Sequence, residues 1–398
     1  MSKLDQEDFY RIKQLPPYVF EEVNTLKARL RQSGRDIIDL GMGNPDMPTP
    51  AHIVEKLVET ASNPKAHRYS VSKGIIGLRK AMARYYERRF NVSLSPETQI
   101  VATLGSKEGF ANLAQAITAP GDIILSPDPA YPIHAYGFII AGGEIVAVPA
   151  LTPESYLSGL SNAITASAKT PTAMVINYPS NPTAQTVGLD FYKDVVALAR
   201  KHGVLVLSDL AYSEIFFGDA PPSILEVPGA IDLAVEVNSL SKTFAMAGWR
   251  VGMAVGNERM IKALARVKSY LDYGAFTPIQ VAAAAALDGP WSAVEEIRAT
   301  YKSRRDVLIS HFNAAGWDVP SPDASMFAWA AIPQAYRSLG SVSFAKKLME
   351  EADVAVAPGL GFGQEGDGYV RIGLVENEQR IRQAARNIKK LLSRENAA

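Results

Sequence analysis

Short, continuously apolar runs alternate with amphipathic stretches through the middle of the chain. The runs are QIVATL (99–104), DIILSP (122–127), GEIVAVP (143–149), AMVINYP (173–179), GVLVLSD (203–209), LAVEVNSLS (233–241) and RVGMAVG (250–256). Between them lie helical patterns such as KEGFANLAQAI and LDFYKDVVALARKHG. Strands that are apolar at nearly every position are typical of a mostly parallel sheet with helices on both faces. The pattern predicts an α/β fold that binds its ligands at the carboxyl ends of the strands.

The two ends of the chain carry a different pattern. Residues 17–33 predict an amphipathic helix that Gly34 closes. After residue 290, a long helical stretch leads to further apolar runs and a closing helix, at 326–332, 354–359, 369–374 and 376–393. We therefore expect a large domain from 50 to 290 and a smaller α+β domain made of 1–49 and 291–398.

The composition is that of an ordinary globular protein and excludes several classes of function. Hydrophobic residues make up 47% of the 398 residues and charged residues 21%. Basic and acidic residues both number 41, and a chain without a basic surplus is not expected to bind nucleic acid. The absence of cysteine excludes disulfides and thiolate nucleophiles, and the five histidines are scattered, so we expect no metal.

The N-terminal sequence has no targeting or membrane signal. Residues 1–11 are polar and lack the apolar core of a signal peptide. No uninterrupted apolar stretch approaches the roughly 18 residues of a membrane span. We expect a cytoplasmic enzyme that has no membrane partner.

One lysine directly follows an apolar strand, in the run Ser239-Leu-Ser-Lys-Thr-Phe-Ala-Met-Ala-Gly-Trp-Arg250. A lone lysine is usually a solvated surface charge. At the end of a buried strand, however, the pKa of Lys242 should be lowered, which an amine needs in order to attack a carbonyl. Ser239, Ser241 and Arg250 add hydroxyl and guanidinium donors suited to a phosphate dianion. The run therefore indicates a reactive amine beside an anion site.

Two neighbouring strands also end in polar motifs. Asn181 lies in Asn-Tyr-Pro-Ser-Asn-Pro-Thr (177–183), and Asp-Leu-Ala-Tyr (209–212) contributes Asp209 and Tyr212. Taken alone, Asp209 would more often be a helix N-cap after a strand. Like Lys242, however, it lies at the end of an apolar strand, where ligands bind in such sheets.

Two further turns follow strands. Gly-Ser-Lys-Glu-Gly (105–109) opens a helix, and free backbone N–H groups at such a terminus bind anions, which makes Ser106 and Lys107 candidates. Asp-Pro-Ala-Tyr-Pro (128–132) contributes Tyr131, whose ring could stack on a planar ligand or simply belong to the core.

Three motifs lie outside the central runs. Tyr69 belongs to the run Arg68–Arg79, Gly43 to Gly-Met-Gly-Asn-Pro-Asp, and Arg371 to Tyr-Val-Arg-Ile-Gly near the C-terminus. An arginine in an apolar strand needs an anionic partner, which is either a buried carboxylate or a ligand.

Together these motifs, which span almost the whole chain, resemble fold-type I, class I/II aminotransferases. The resemblance implies a seven-stranded large domain and pyridoxal 5'-phosphate (PLP) held covalently by Lys242. It implies that Asp209 pairs with the protonated pyridine nitrogen, and that Asn181 and Tyr212 bind the phenolic oxygen. By the same resemblance Tyr131 stacks on the ring, and the phosphate is bound by Ser106, Lys107, Ser239, Ser241 and Arg250.

The resemblance also implies how substrates bind and how subunits assemble. Arg371, with Asn181, would clamp the α-carboxylate of the amino acid, and Gly43 and Tyr18 would border the substrate. Tyr69 would reach the phosphate in the neighbouring subunit's site, which implies a homodimer with shared active sites. Lys242, Asp209 and Tyr69 are then the candidate catalytic residues.

Three segments look most like those of the bacterial alanine aminotransferases, namely LPPYVFEEVNTLK, YPSNPTAQ and RVKSYLDYGAFTPIQVAA. Ala184, where many relatives have glycine, fits that subgroup. We expect a ping-pong transaminase that acts on alanine or glutamate and on a 2-oxo acid, either pyruvate or 2-oxoglutarate.

The alternatives to this function are a transaminase for aspartate, LL-diaminopimelate, branched-chain or aromatic substrates, or a PLP-dependent C–S lyase. A regulator's effector module would need a DNA-binding extension, and an oxidoreductase would need a third glycine after Gly41 and Gly43.

Overall fold

The computed structural model describes residues 9–16 and 19–395. Its strands are β1 (Ile38–Asp39), β2 (Ile100–Thr103), β3 (Ile123–Asp128), β4 (Glu144–Pro149), β5 (Ala173–Asn177), β6 (Leu205–Asp209), β7 (Ala234–Ser239), β8 (Gly252–Gly256), β9 (Phe327–Ala331), β10 (Val354–Ala355), β11 (Ala357–Pro358) and β12 (Tyr369–Gly373). The seven predicted runs between 99 and 256 are all strands. The run at 354–359 is divided into β10 and β11.

The α-helices lie between the strands and at both ends of the described chain. They are α1 (Val19–Gln32), α2 (Ala51–Ala61), α3 (Ile76–Phe90), α4 (Ser106–Ile117), α5 (Ile133–Ala141), α6 (Pro153–Ala166), α7 (Leu189–His202), α8 (Leu240–Thr243), α9 (Glu258–Leu271), α10 (Thr277–Asp288), α11 (Ser292–Ala314), α12 (Gly340–Ala352) and α13 (Glu378–Glu395). Tyr18, one of the predicted substrate residues, lies outside the described residues. None of the helices described is long and apolar enough to cross a membrane.

A seven-stranded sheet forms the centre of the fold, in the order β2-β8-β7-β6-β5-β3-β4. Strand β8 runs antiparallel to β2 and β7, and the other pairs are parallel. One core fills the space between the sheet and α4, α5 and α9, and another fills the opposite face under α3, α6, α7 and α10. The predicted α/β fold with a mostly parallel sheet is therefore confirmed.

A second group of elements forms its own core. Strands β11, β12 and β9 make an antiparallel sheet, β1 pairs with β10, and α11, α12 and α13 pack around them. Tyr212 and Ile215, from the loop after β6, also belong to this core, so the two groups meet beside the carboxyl edge of the central sheet. The domain boundaries at 50 and 290 stay a prediction.

Candidate active site

A cavity of about 540 Å³ lies at the carboxyl ends of the central strands. Register places Asn177 at the end of β5 beside Asp209 at the end of β6, while β7 ends at Ser239. The cavity brings together most of the side chains predicted from sequence: Gly43, Ser106, Lys107, Tyr131, Asn181, Asp209, Tyr212, Ser239, Ser241, Lys242, Arg250 and Arg371. Residues from Gly43 to Arg371 thus converge at the edge where the parallel strands end.

Lys242 lies on the short helix α8, directly after β7. Ser239 caps this helix, its side-chain oxygen accepting the N–H of Ser241 at 3.2 Å. The Lys242 ammonium donates to the carbonyl of Gly43 at 2.7 Å. Burial, followed by repulsion from Arg371 and Arg250, lowers the pKa of Lys242 to about 8. A substantial share of the amine is therefore neutral near physiological pH.

Asp209 is buried at the cavity floor and fixed by three contacts. Its Oδ2 lies 2.9 Å from Nε2 of the fully buried His134, and its Oδ1 accepts the N–H of Ala211 at 3.1 Å. The side chain of Asn177 donates to its backbone carbonyl at 2.9 Å. The carboxylate is thus oriented while it remains on the cavity wall.

His134 and Asn177 were missed by the sequence analysis. Asn177 also holds the next motif, because its Oδ1 accepts the backbone N–H of Asn181 at 2.9 Å. The only sequence signal for His134 was its place three residues after Tyr131, at the start of α5. No spacing rule connects it to a carboxylate 75 positions later.

Arg371 closes the opposite wall of the cavity from β12. Its Nη1 donates to Oδ1 of Asn181 at 2.8 Å and its Nη2 to the Gly41 carbonyl at 3.4 Å. The guanidinium carbon lies 3.9 Å from the ring centre of Phe327 and 4.7 Å from that of Phe362. This packing presents a buried, flat cation suited to a carboxylate.

An anion cradle is formed by the turn before α4. Gly105 has φ +83°, and a side chain there would collide with the Arg250 guanidinium, so glycine is required. Arg250 in turn donates to the Leu104 carbonyl at 3.2 Å. The free N-terminus of α4, with Ser106 and Lys107, therefore faces the same space as Arg250 and the hydroxyls of α8.

Two tyrosines complete the described walls. Tyr131 lies edge-on to the His134 ring, with 5.9 Å between ring centres, and Tyr212 packs against Phe327 at 5.7 Å. Burial raises the pKa of Tyr212 well above its ordinary value, so its hydroxyl stays protonated and can donate.

Tyr69 is not in the cavity. Its side chain is 86% exposed and packs against Tyr273, with 4.7 Å between ring centres. Other exposed apolar side chains lie in the same two segments, namely Val71, Tyr270, Leu271 and Phe276. We call Tyr69 and these five neighbours (Val71, Tyr270, Leu271, Tyr273 and Phe276) the Tyr69 face.

The N-terminal helix contributes wall residues that the sequence analysis did not single out. Asn24 and Lys27 of α1 line the cavity, together with Asp39. Lys27 donates to Asp39 at 2.8 Å, and Asp39 accepts the N–H of Gly41, the residue whose carbonyl Arg371 contacts. No group of residues suited to a metal ion occurs among those described.

The chain is similar to known proteins over almost its whole length. The chain matches the family described as Aminotransferase class I and II over residues 35–388. It is 65% identical to a putative aminotransferase AatC of Rhizobium meliloti, over 97% of this chain and 96% of that protein. It is 52% identical to the glutamate-pyruvate aminotransferase AlaC of Escherichia coli (96% and 93%). Identity to the LL-diaminopimelate aminotransferase of Moorella thermoacetica is 42% (96% and 98%).

Among solved structures, substrate-bound BacF from Bacillus subtilis superposes with a TM-score of 0.90 at 34% identity. The match covers 97% of this chain and 98% of that one. The cavity described above therefore lies in a fold that solved structures share over almost the full length.

Proposed function

The chain belongs to the aminotransferase class I and II family, and on this premise we propose that it exchanges an amino group between alanine and 2-oxoglutarate. Dependence on PLP follows from the family and the fold. The alanine assignment rests on one observation, the 52% identity to a glutamate-pyruvate aminotransferase over 96% of the chain. LL-diaminopimelate, the substrate named for relatives at 42% identity, is the more distant alternative.

The cavity suits each polar end of PLP. When bound, the cofactor withdraws electrons from the substrate's α-carbon and so stabilises negative charge there. Asp209 would hold a proton at the ring nitrogen, and Tyr212 and the Asn181 amide would donate to the phenolic oxygen. Tyr131 would cover the ring. The α4 N-terminus, Arg250 and the hydroxyls of Ser106, Ser239 and Ser241 would bind the phosphate.

The remaining residues handle the substrate. Arg371 would bind the α-carboxylate through two parallel N–H donors. It would either give up its hydrogen bond to Asn181 or keep that bond while it binds the carboxylate. Lys242 would attach the cofactor covalently when no substrate is present. A substrate amino group that takes its place on the cofactor would release Lys242, whose free amine would then accept the proton from the α-carbon and deliver it to the cofactor's C4' atom.

We further propose that the active unit is a homodimer. The Tyr69 face exposes six large apolar side chains on two adjacent segments, an arrangement that favours contact with another protein surface. Tyr69 is 86% exposed and does not line the cavity of its own chain. In a twofold dimer, Tyr69 would instead reach the partner's phosphate site. The cytoplasmic location stays a prediction.

The amino-group substrates can be tested by a half-reaction screen. Each amino acid is added without a 2-oxo acid, and loss of the visible absorbance of lysine-bound PLP is recorded. We expect alanine and glutamate to react fastest. A faster reaction with LL-diaminopimelate, aspartate, aromatic or branched-chain amino acids would overturn the alanine assignment. Release of ammonia or thiol without an acceptor would indicate a lyase.

A further inference from the structure

Lys268, on α9, is fully buried and lies outside the cavity. Its ammonium is 2.9 Å from Glu108 Oε1 and 2.9 Å from Asp272 Oδ2. A buried ammonium is costly unless it is paired, and here a single cation serves two carboxylates on different elements. Glu108 accepts a backbone N–H beside the proposed phosphate site, and Asp272 accepts a backbone N–H and the Ser72 hydroxyl beside the Tyr69 face.

The Glu108 end lies beneath the phosphate cradle. Glu108 is in the first turn of α4, and its Oε2 accepts the N–H of Leu104 at 2.8 Å. Arg250 holds the carbonyl of the same residue at 3.2 Å. The backbone of Leu104 is therefore held at both its N–H and its carbonyl. A carboxylate in the first turn of α4 disfavours a phosphate at the N-terminus of the same helix, and the Lys268 ammonium offsets part of that negative charge.

The Asp272 end lies beneath the Tyr69 face. Its Oδ1 accepts the N–H of Gly274 at 2.6 Å, and its backbone carbonyl accepts the hydroxyl of Ser72. Gly274 has φ +78°, and a side chain there would collide with the Val71 carbonyl. Asp272 thus fastens the segment that carries Tyr273 to the segment that carries Tyr69.

We propose that Lys268 is a positioning residue for both halves of the phosphate site. Its ammonium offsets part of the negative charge of Glu108 beneath the chain's own cradle, and through Asp272 it sets the position of the tyrosine offered to the partner subunit. The inference rests on the proposed binding of the PLP phosphate at Ser106 and Arg250. Lys268 itself touches neither cofactor nor substrate.

The test compares PLP with pyridoxal, which lacks the phosphate. Apoprotein is prepared from the full-length enzyme, and dissociation constants for both compounds are measured by absorbance titration. We expect Lys268→Met to lower the preference for PLP over pyridoxal about tenfold, since a hydrogen-bonded anion site then faces an uncompensated carboxylate. Lys262→Met, an exposed lysine of the same helix, is the matched control and should leave the preference unchanged.

A rescue variant separates charge from packing. In Lys268→Met/Glu108→Gln the unpaired Glu108 carboxylate beneath the cradle is gone, although Asp272 still lacks its ammonium partner. The glutamine oxygen can still accept the Leu104 N–H, so the PLP preference should return to within about twofold of the wild type. Unchanged preference in Lys268→Met, or no recovery in the double variant, overturns the proposal. If Lys268→Met does not fold, Lys268→Gln keeps a donor without the charge and carries the same expectation.

A further control separates this proposal from the site assignment on which it rests. Arg250→Met should abolish most of the PLP preference, and if it does not, the phosphate placement is wrong rather than the role of Lys268. The Tyr69 half is tested by combining Lys268→Met with Tyr69→Phe. The double variant should lose less of its preference for PLP over pyridoxal than the product of the two single-variant losses, because both changes act on one contact. Strictly multiplicative losses of that preference overturn this half of the proposal.

Discussion

His134 Nε2 lies 2.9 Å from Asp209 Oδ2, and the histidine ring is fully buried behind the carboxylate. The aspartate therefore reaches the cavity already oriented, with its second oxygen held by the Ala211 N–H. A carboxylate that must hold a proton at a ring nitrogen benefits from such a fixed position, because reorientation would cost free energy in each turnover.

Replacement of His134 should accordingly lower kcat while the protein still binds PLP. We expect His134→Phe to lower kcat about tenfold, since loss of one hydrogen bond to a buried charged group is a change of that order. His134→Asn, which can still donate to Asp209, should lose much less. Steady-state kinetics and PLP titration check this. Equal losses in the two variants would mean that the ring's volume matters rather than its hydrogen bond.

The depressed pKa of Lys242 predicts how cofactor attachment depends on pH. Only the neutral amine attacks the aldehyde, so the attachment rate in apoprotein should rise about tenfold per pH unit and level off near pH 8. An ordinary lysine would level off above pH 10. Stopped-flow absorbance measures this profile.

Arg371 supplies a control for the same experiment. Its positive charge disfavours the Lys242 ammonium, so Arg371→Leu should move the levelling point to higher pH. Arg380→Leu removes a surface pair with Asp36 and should leave the profile unchanged. A profile that does not move in Arg371→Leu would mean that Arg371 does not contribute to the lowered pKa of Lys242, which would then come from burial and Arg250.

The shared-site dimer predicts complementation between two inactive variants. When Lys242→Ala and Tyr69→Ala chains are co-expressed, the mixed dimer contains one site with the intact lysine of one chain and the intact tyrosine of the other. Random pairing makes half of the dimers mixed, so roughly a quarter of the sites should be active. Activity of the mixture no higher than that of the parents would place Tyr69 in its own chain's site.

Glu236 gives a stability prediction away from the site. It is fully buried, and it accepts hydrogen bonds from Tyr86 and Ser223, yet burial raises its pKa from 4.5 to about 7. The folded state holds this proton more tightly than the unfolded chain. Its stabilising contribution is therefore complete below pH 4.5 and is lost as the pH rises to about 7.

That loss amounts to roughly 3 kcal/mol in the free energy of unfolding across this pH range. Glu236→Gln should remove this part of the pH dependence, while exposed Glu296→Gln should not. Denaturant unfolding at several pH values compares the three proteins. A Glu236→Gln protein that is as pH-dependent as the wild type would show that Glu236 stays ionised.

Most of the cavity could be predicted because its residues follow strands. A buried parallel strand is visible as an apolar run, and what comes directly after it lies at the ligand-binding edge, which is why Asp209, Lys242 and Ser106 could be named from sequence. Arg371 was found differently, as a charge inside an apolar run that needed an anionic partner.

Contacts between distant segments were decided only by the tertiary structure. His134 and Lys268 resemble many other histidines and lysines in sequence, and their roles come from carboxylates 75 and 160 positions away. The exposure of Tyr69 likewise depends on how its segment packs against the one that carries Tyr273. Local periodicity encodes which residues enter a strand or helix, whereas burial and charge pairing depend on what the folded chain places opposite each side chain. The sequence alone thus determined the sheet and the motifs at its edge, Lys242 among them, and the folded arrangement decided which groups lie against them.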